Sequence, residues 1–361
     1  MAHNIVYFLG AGASYNFGYP LTNAIMPEIL HNLRSNDLFR IGGQKTKLER
    51  QQEDELAVYL GALYPGLKDV TVDSRDFSNN AHIPNITEVL SFVDHCCFYN
   101  LPPHPAISDN VLLNFRYLLN RAVCEVLMDH EQEAYEEDDE QEALLNRFVA
   151  PIKAGSGGQT TIITTNYDLS IDTVFRKEIS RQEVDLGIAY RDPASSKIVP
   201  QPHDPKLQYY KLHGSLNWTR CDLCGYYYIN PEGNIAFQVY REAIDDGNTC
   251  TCSDSLKLKS VLVAPSIVRD IRDPNLLQVW KGAMEAVRTA DELVFVGYSL
   301  PAEDLAIKSI IVRGLNGRCN KRAPKITVVQ WKEAAKPNYI NLFGKDITYM
   351  SEGLPQYLDS L

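Results

Sequence analysis

The stretch "FLGAGASYNFGYP", Phe8 to Pro20, decides the fold. Five apolar residues, Ile5 to Leu9, run straight into Gly-Ala-Gly-Ala-Ser. The apolar run predicts a buried β-strand, and small residues after such a strand let the backbone approach a ligand. The helix that should follow presents free N–H groups and its positive dipole end, which suits a pyrophosphate. The pattern is shorter than the full G-x-G-x-x-G motif, so a tight strand–helix turn without a ligand explains it equally well.

The composition is that of a globular protein without a membrane span. The 361 residues are 45% hydrophobic, enough for a packed core in one main domain with insertions or in two domains. No apolar run reaches the ~18 residues typical of a membrane-spanning helix. The amino terminus lacks the pattern of an export signal, so we expect a cytoplasmic location and no membrane partner.

The acidic residues are concentrated in one segment. The formal net charge is −11, and residues 129–142 carry nine acidic side chains and no Lys or Arg, which leaves the rest of the chain at −2. This run is interpreted as a solvated helix end or loop, or as a docking surface for a basic partner. Neither half of the chain has the basic character of a nucleic-acid footprint, so direct nucleic-acid binding is not expected.

Short apolar runs alternate with helical stretches, which is typical of an α/β protein. The runs "IVYFL", "VLVA" and "LVFV" are apolar throughout, as expected for strands covered on both faces by helices, so we predict a Rossmann-like, largely parallel sheet. The predicted strands are Ile5–Leu9, Thr160–Thr165, Gln208–Leu212, Lys259–Ala264, Leu293–Val296 and Lys325–Val329. The predicted helices are Thr22–Arg34, Asn110–His130, Pro274–Thr289, Ala302–Leu315 and a short one after Lys332.

Two insertions interrupt the predicted sheet domain. About 150 residues separate its first two strands, far more than one crossover needs. Helical periodicity in this part of the chain predicts an inserted helical module at 40–155. A smaller insertion at 218–255 carries the cysteine cluster, and the sheet domain then comprises 1–39, 156–217 and 256–361.

The cysteine cluster predicts a structural zinc site. Cys221, Cys224, Cys250 and Cys252 fall within 32 residues, and without an export signal this grouping favours a metal over disulfides. The Cys-x-x-Cys and Cys-x-Cys pairs can close a four-thiolate tetrahedron, which leaves no open catalytic position. The runs "YYYI" (Tyr226–Ile229) and "IAFQVY" (Ile235–Tyr240) between the pairs predict the strands of a small zinc ribbon. Free thiols in a loop are the alternative.

Two further stretches place polar residues just past predicted strand ends. In "IITTNYD", Ile162 to Asp168, the polar cluster is either a helix cap or a shelf for a ligand. In "YYKLHGSLNW", Tyr209 to Trp218, His213 ends a strand and precedes a glycine. A histidine there is either structural or a general base, because its unperturbed pKa lies near working pH.

A third polar stretch, "LVFVGYSLPAEDL", runs from Leu293 to Leu305. Its strand is followed by Gly297 and Ser299, which could approach a ribose or a phosphate. The alternative is an ordinary turn and N-cap before a helix that has Pro301 at its start.

Taken together, these stretches resemble the sirtuin family, whose members cleave the nicotinamide–ribose bond of NAD. The matches occur in the order of the family's motifs over most of the chain. They are Gly10-Ala11-Gly12 with Ser14, Gly18-Tyr19-Pro20, Thr164-Thr165-Asn166-Tyr167-Asp168, His213-Gly214, the two cysteine pairs, and Gly297-Tyr298-Ser299.

The resemblance implies a role for each matched residue. Asn166 would orient the nicotinamide ribose and a water, His213 would act on the ribose hydroxyls, and Asp168 would accept from the nicotinamide amide. Ser299 would touch the adenosine-side ribose or phosphate, and the last strand, ending near Gln330 and Trp331, would flank the adenine. The remaining predicted NAD-binding residues are Gly10, Ala11, Gly12, Ala13, Ser14, Thr165 and Gly297.

The departures from the deacylase pattern change the predicted activity. Gly18-Tyr19-Pro20 is followed by "LTNAIMP", where deacylases have an Asp-Phe-Arg stretch. After Pro265-Ser266-Ile267-Val268, "RDIRDPN" replaces the Phe-Gly-Glu stretch of the acyl-lysine wall. The large helical insertion and "GYSLPAED" instead look like the divergent prokaryotic SIR2-like branch used in antiphage defence, whose members destroy NAD, often in assemblies with a partner.

The resemblance therefore implies an NAD glycohydrolase that converts NAD into nicotinamide and ADP-ribose, with Asn166 and His213 as catalytic residues and a structural zinc ion. It further implies an antiphage effector, a homo-oligomer in which 40–155 makes subunit contacts, and a defence partner such as a ring ATPase. An NAD-dependent protein deacylase is one alternative. The other is a nucleotide-sensing module without turnover, which the altered "LTNAIMP" loop favours and the intact Asn166 and His213 oppose.

Overall fold

The chain divides into two units, which we call the sheet unit and the helical unit. The computed structural model describes residues 3–40, 45–102, 109–137, 139–154, 157–231, 233–236, 239, 249–263, 273–302, 304–318 and 322–361. The sheet unit comprises Met1–Tyr19, Ala134–Leu262 and Asp270–Leu361. The helical unit comprises Pro20–Glu133 and Val263–Arg269.

Strands and helices alternate along the chain. The strands are β1 (Ile5–Leu9), β2 (Thr160–Thr164), β3 (Val184–Asp185), β4 (Tyr190–Arg191), β5 (Ile198–Val199), β6 (Leu207–Lys211), β7 (Gly214–Arg220), β8 (Tyr227–Ile229), β9 (Thr249–Cys250), β10 (Ser253–Lys257), β11 (Lys259–Leu262), β12 (Glu292–Val296), β13 (Lys325–Val329) and β14 (Thr348–Met350). The helices are α1 (Ala11–Tyr15), α2 (Thr22–Arg34), α3 (Lys47–Leu63), α4 (Ile86–Tyr99), α5 (Asp109–Glu137), α6 (Asp139–Ala154), α7 (Ser170–Glu178), α8 (Pro274–Thr289), α9 (Leu305–Asn316), α10 (Lys336–Phe343) and α11 (Gly353–Asp359).

The sheet unit is built on seven parallel strands in the order β14-β13-β12-β1-β2-β6-β3. β1 lies in the middle, and its side chains alternate between two apolar clusters. Val6 and Phe8 belong to one cluster, and Tyr7 and Leu9 belong to the other. This burial on both faces explains why the strand is apolar throughout. The predicted α/β class and the largely parallel, Rossmann-like sheet are confirmed.

Most predicted element bounds agree with the structure. The strands Ile5–Leu9 and Lys325–Val329 and the helices Thr22–Arg34 and Pro274–Thr289 have the predicted limits. β2, β6 and β12 differ from prediction by one residue at one or both ends. The predicted strand Lys259–Ala264 begins correctly at Lys259, but its assignment to the parallel sheet is wrong, because as β11 it pairs antiparallel with β7 in a second sheet; Ala264 lies outside the described residues. The predicted helix Asn110–His130 is too short, because α5 runs from Asp109 to Glu137.

The helix after Gly297 was predicted to begin at Ala302, which is wrong. α9 begins at Leu305, with Asp304 as its N-cap residue. The Tyr298 hydroxyl donates to Asp304 Oδ2 at 2.5 Å, and the Asp304 N–H donates to the Pro301 carbonyl at 3.2 Å. Asp304 is therefore held in a turn, and the helix starts only after it.

The prediction that "IAFQVY" forms a strand is also wrong. Ala236 and Val239 are helical, and the Val239 N–H donates to the Ile235 carbonyl at 3.3 Å; residues 237, 238 and 240 lie outside the described part. The other predicted strand, "YYYI", forms β8, which lies inside a second, five-stranded sheet of order β11-β7-β8-β4-β5. Because β7 and β4 occupy both edges of β8, no edge is left for "IAFQVY". The cysteine-bearing β9 pairs with β10 instead.

The helical unit has a polar group inside its apolar packing. The Arg121 side chain is 2% exposed, donates to Glu125 and Glu49 at 3.2 and 3.3 Å, and lies 4.3 Å from the centre of the Phe39 ring. Burial raises the pKa of Glu125 to about 7, against the lowering effect of Arg121. Such a buried cation is stable only because its donors are paired.

The helical unit and the predicted helical insertion at 40–155 have different limits. The unit begins at Pro20, because α2 packs against α4, whereas α6 packs against α7 in the sheet unit. The domain division made from the sequence stays a prediction. Within the acidic run at 129–142, residue 138 and the side chains of 132–139 lie outside the described part of the chain.

We predict that Gly297→Ala destabilises the protein strongly. Gly297 has a φ of +59°, and an added Cβ would lie 2.0 Å from the Ala13 nitrogen. We expect the free energy of unfolding in a denaturant titration to fall by about 3 kcal/mol or more.

Gly157→Ala is the matched control, because Gly157 has a φ of +76° but an added Cβ there meets no atom within 4 Å. It should cost only about 1–2 kcal/mol, the strain of an alanine at positive φ. Equal losses in the two variants would contradict the role assigned to the close contact.

Candidate active site and cysteine cluster

The predicted site residues follow four neighbouring strands of the parallel sheet. β1 pairs with β12 on one side and with β2 on the other, and β2 pairs with β6. β2 and β6 follow β1 along the chain and lie on one side of it in the sheet, whereas β12 and β13 come later and lie on the other side. The strand order therefore reverses at β1. Ligands of open α/β sheets bind at such a switch point, outside the carboxyl ends of the strands.

The Gly-Ala-Gly turn packs tightly against the turn after β12. The Gly10 N–H donates to the Val296 carbonyl at 3.0 Å, and the Gly12 N–H donates to the Gly297 carbonyl at 2.9 Å. A Cβ on Gly10 would lie 2.6 Å from the Tyr298 Cα, and one on Gly12 would lie 2.9 Å from the Gly297 Cα. Both glycines are therefore required by this contact between two backbones.

The α1 helix is short, which changes how this turn could bind an anion. The helix has five residues, too few for a large dipole, and the N–H groups of Gly10, Gly12 and Ala13 are already bonded to carbonyl oxygens. The Ala11 N–H is the first of the helix, where no intrahelical acceptor exists. Ala11 is consequently the residue of this turn whose backbone is best placed to donate to a ligand.

Ser14, Asn166 and Asp168 form a hydrogen-bonded group between the turns after β1 and β2. The Ser14 hydroxyl donates to Asp168 Oδ2 at 2.5 Å and accepts from Asn166 Nδ2 at 2.7 Å. The same Asn166 amide donates to the Gly10 carbonyl at 2.8 Å. Both N–H bonds of the amide are thus used, which leaves Asn166 Oδ1 to act as an acceptor.

Asp168 also contributes to the start of α7. Its Oδ1 accepts from the Ser170 N–H at 3.1 Å and from the Ser170 hydroxyl. The two interpretations of this polar cluster, helix cap and ligand shelf, are therefore compatible. Asp168 is 7% exposed, so its carboxylate is held rigidly at the base of the site.

His213 is buried, and a backbone contact determines its tautomer. Its side chain is 2% exposed, and Nδ1 lies 3.0 Å from the Thr165 carbonyl. A carbonyl can only accept, so Nδ1 carries a proton and Nε2 has the lone pair of a base in the neutral ring. Thr165 is itself bound to β1, since its N–H donates to the Leu9 carbonyl at 3.1 Å.

The segments that carry Asn166 and His213 are joined by their backbones. The Leu212 N–H donates to the Thr164 carbonyl at 2.9 Å, and the Leu216 N–H donates to the Tyr167 carbonyl at 3.0 Å. The Ser215 hydroxyl adds a contact of 3.3 Å to the same Tyr167 carbonyl. Asn166 and His213, which are 47 positions apart in the sequence, therefore belong to one rigid structure.

The residues that are predicted to contact the adenosine half of NAD follow β12 and β13. These strands lie on the other side of β1 from β2 and β6, which lead to Asn166 and His213. Ser299 is exposed, and its carbonyl accepts from Asn338 Nδ2 at 3.0 Å. Gln330 Nε2 donates to the Tyr298 carbonyl at 2.5 Å. Trp331 is 54% exposed, but the strand before it is not the last one, because β14 follows and pairs with β13.

Sequence reasoning missed a buried polar group behind the site. Lys211 Nζ donates at 2.8 Å both to Asp172 Oδ2 and to the Asp168 carbonyl. Asp172 also accepts from the Tyr209 hydroxyl at 3.0 Å and from Asn217 Nδ2 at 3.0 Å. The signal was a lysine inside the apolar strand "LQYYK", since a buried lysine must be paired.

The four predicted zinc ligands come together. Their sulfur atoms all lie within 4.8 Å of one another, with Cys221–Cys252 at 3.6 Å and Cys224–Cys250 at 3.5 Å. A tetrahedron with Zn–S bonds of about 2.3 Å has edges of roughly 3.8 Å, so the donor set and its spacing fit zinc. Burial raises the pKa of the Cys250 thiol, but hydrogen bonds from Tyr228 and Cys252 outweigh it and lower the pKa to about 6.

Among the described residues, none of the helices combines the length and the apolar character needed to cross a membrane.

We predict that purified protein contains one zinc ion per chain, measured by metal analysis. Cys221→Ser should lose the ion and unfold the β9–β10 module, because four thiolates hold together a segment with little core of its own. Cys97→Ser is the matched control outside the cluster and should keep the zinc. Absence of zinc from the native protein would rule out the ribbon as a metal site.

Comparisons with known proteins place the chain in a family. Solved structures that it matches include "Structure of Sir2Tm bound to a propionylated peptide" (13% identity, 99% of this chain, 92% of that chain, TM-score 0.37). Another is "Sir2-p53 peptide-NAD+" (13% identity, 99% and 91% coverage, TM-score 0.35). The comparison with curated proteins gave no match. A family model described as "SIR2-like domain" matches residues 160–347, just over half of the chain, and the chain therefore belongs to the SIR2-like domain family.

Proposed function

We propose that the protein is an NAD glycohydrolase, which hydrolyses NAD to nicotinamide and ADP-ribose. The observation that carries the proposal is the joint fixation of Asn166 and His213 at the switch point of the sheet. Asn166 is bound to Gly10 and Ser14, and His213 is bound to the carbonyl of Thr165. In a member of the SIR2-like domain family, this arrangement holds an acceptor and a buried base behind the strand ends where a nucleotide would bind.

NAD would lie along the carboxyl ends of β1, β12 and β2. The Ala11 N–H, within the Gly10–Ser14 turn, would contact the pyrophosphate, and Gly297 would support this turn by its backbone contact with Gly12. Ser299, which is exposed, would meet the adenosine-side ribose or phosphate. Asp168 would accept from the nicotinamide amide, because a carboxylate has about four lone-pair positions and the bonds from Ser14 and Ser170 leave one of them free.

The reaction needs positioning more than covalent help. As the bond between the ribosyl carbon and the pyridinium nitrogen breaks, nicotinamide leaves with the electron pair and the ribose develops oxocarbenium character. Asn166 Oδ1 accepts a hydrogen bond from the attacking water and so orients it. The water oxygen bonds to the ribosyl carbon, and its proton passes to His213 Nε2. Fixed dipoles and a fixed base stabilise this charge without reorganisation.

The zinc ion would have no part in these steps. When bound, it supplies a closed four-thiolate centre that holds Cys221 and Cys224, which follow β7, together with Cys250 and Cys252. A closed centre has no position for water or substrate, so its contribution is to folding.

The wider role that we propose is depletion of NAD as an antiphage effector. It rests on the resemblance to the divergent SIR2-like branch and on the helical unit of more than 100 residues, Pro20–Glu133, which exceeds what a crossover needs. We propose a cytoplasmic homo-oligomer with a defence partner such as a ring ATPase. Of the segment that departs from the deacylase wall, Pro265 to Asn275, residues 265–272 lie outside the described residues.

We predict that Asn166→Ala and His213→Ala each reduce NAD hydrolysis by about 10²–10⁴-fold, the usual cost of losing an orienting group or a general base. Binding of NAD, measured by calorimetry, should change far less, because the pyrophosphate contacts come from the backbone at Gly10–Ser14. Nicotinamide release is followed by chromatography. His203→Ala and Asn79→Ala are the matched controls, since both residues are exposed and lie outside the site.

The same assay distinguishes the alternatives. Native protein is incubated with NAD alone and with NAD plus an acetylated peptide. Nicotinamide release that requires the peptide would establish a deacylase in place of a hydrolase. Tight binding of NAD with no products in any assembly state would establish a nucleotide sensor. A normal rate in His213→Ala would show that His213 is not the base.

A further inference from the structure

The half-buried carboxylate of Asp172 on α7 accepts hydrogen bonds from three donors on the strands on either side of His213. Asp172 Oδ2 accepts from Lys211 Nζ at 2.8 Å and from the Tyr209 hydroxyl at 3.0 Å, and Asp172 Oδ1 accepts from Asn217 Nδ2 at 3.0 Å. Lys211 and Tyr209 belong to β6, which precedes His213, and Asn217 belongs to β7, which follows it. A single side chain therefore holds both strands that lead to the candidate base.

Lys211 extends this attachment to the other catalytic segment. Its side chain is fully buried, and Nζ donates to the Asp168 carbonyl at 2.8 Å. Asp168 lies two residues after Asn166, and Lys211 lies two residues before His213. The ammonium group also lies 5.3 Å from the centre of the Tyr209 ring. The Lys211 ammonium group thus links the segment that carries Asn166 to the segment that carries His213.

The hydrogen-bond donors around Asp172 are permanent. Burial, followed by the field of the Asp172 carboxylate, raises the pKa of the Tyr209 hydroxyl well above its usual value. The hydroxyl consequently stays protonated and donates. Asn217 is 2% exposed. Because a carboxylate can only accept, the Asn217 amide must turn its Nδ2 group, and not its oxygen, toward Asp172.

Stability alone does not account for this group. A buried ion pair costs so much desolvation that well-packed apolar residues of similar volume often stabilise a fold as well or better. A charged pair with fixed hydrogen bonds does specify one geometry, and misplacement of a reacting group by about 1 Å can cost 10²-fold in rate. The geometry specified here is the position of His213 relative to Asn166.

We propose that Asp172 and Lys211 are a positioning pair, which keeps the His213 imidazole in register with Asn166 without touching the substrate. The inference rests on the proposed NAD hydrolysis. The pair is expected to control kcat and not the affinity for NAD.

The test uses the double variant Asp172→Asn/Lys211→Met, because either single change leaves a lone buried charge and endangers folding. Both substitutions keep the approximate volume. Alanine is avoided because a cavity of about 60 Å³ already borders Asp172, Tyr209 and Asn217. The matched control is Glu183→Gln/Lys206→Met, which removes an exposed ion pair of 2.6 Å at the start of β6.

We expect the double variant to release nicotinamide 10- to 100-fold more slowly than the native protein, with the Kd for NAD unchanged within about threefold. Hydrogen exchange at the Leu212 and Leu216 amides, which join the two segments, should be faster. The control should match the native protein in all three measurements. A folded double variant with native kcat would overturn the positioning role.

Two further outcomes are informative. If the double variant does not fold, Tyr209→Phe is measured instead, because it removes one donor and no charge. A severalfold lower kcat at native Kd supports the pair, and an unchanged kcat overturns it.

If the native protein releases no nicotinamide, the proposed function fails. Hydrogen exchange in the double variant then tests the pair without an activity assay. Unchanged rates at the Leu212 and Leu216 amides would show that the pair holds neither segment.

Discussion

The close contact between the backbones of Gly12 and Gly297 is the constraint on which the site depends. The Gly12 N–H donates to the Gly297 carbonyl at 2.9 Å, and neither position has room for a Cβ. Because these residues follow β1 and β12, the contact sets how the two strand ends are spaced. It also determines where α1 begins, and α1 carries Ser14 to the Asp168 carboxylate at 2.5 Å. Loss of this contact would separate the turn from the polar group that it supports.

The two halves of the candidate site have different physical characters. The half at β1 and β12 is made of backbone and small residues, and it offers shape and N–H groups. The half at β2 and β6 is made of buried and half-buried polar side chains that are hydrogen-bonded within the fold, such as Asn166 with Gly10 and Ser14. Buried polar groups that are satisfied in this way are rigid, whereas partly satisfied ones are costly. In the proposed function, the first half would bind the nucleotide and the second half would carry out the chemistry.

Local patterns predicted the central strands well because those strands are buried on both faces. A continuous apolar run such as "IVYFL" has few alternatives to a central strand, and its limits were correct. Predictions failed where the neighbours of a segment decide its structure. "IAFQVY" has the composition of a strand, but both edges of β8 are occupied. The start of α9 depends on a hydroxyl contact between Tyr298 and Asp304, which no local propensity contains.

The sequence by itself determined the α/β class, the Gly-Ala-Gly turn, the polar residues after the strands and the cysteine cluster, because each depends on residues close together in the chain. Only the tertiary structure decided how those residues are used. It showed that Gly10 and Gly12 serve a backbone contact, that the Asn166 side chain has only an acceptor left, and that Lys211 and Asp172 join the segments of Asn166 and His213. Hydrogen bonds between residues about 40 or 150 positions apart have no local signal, since they exist only after the strands are paired.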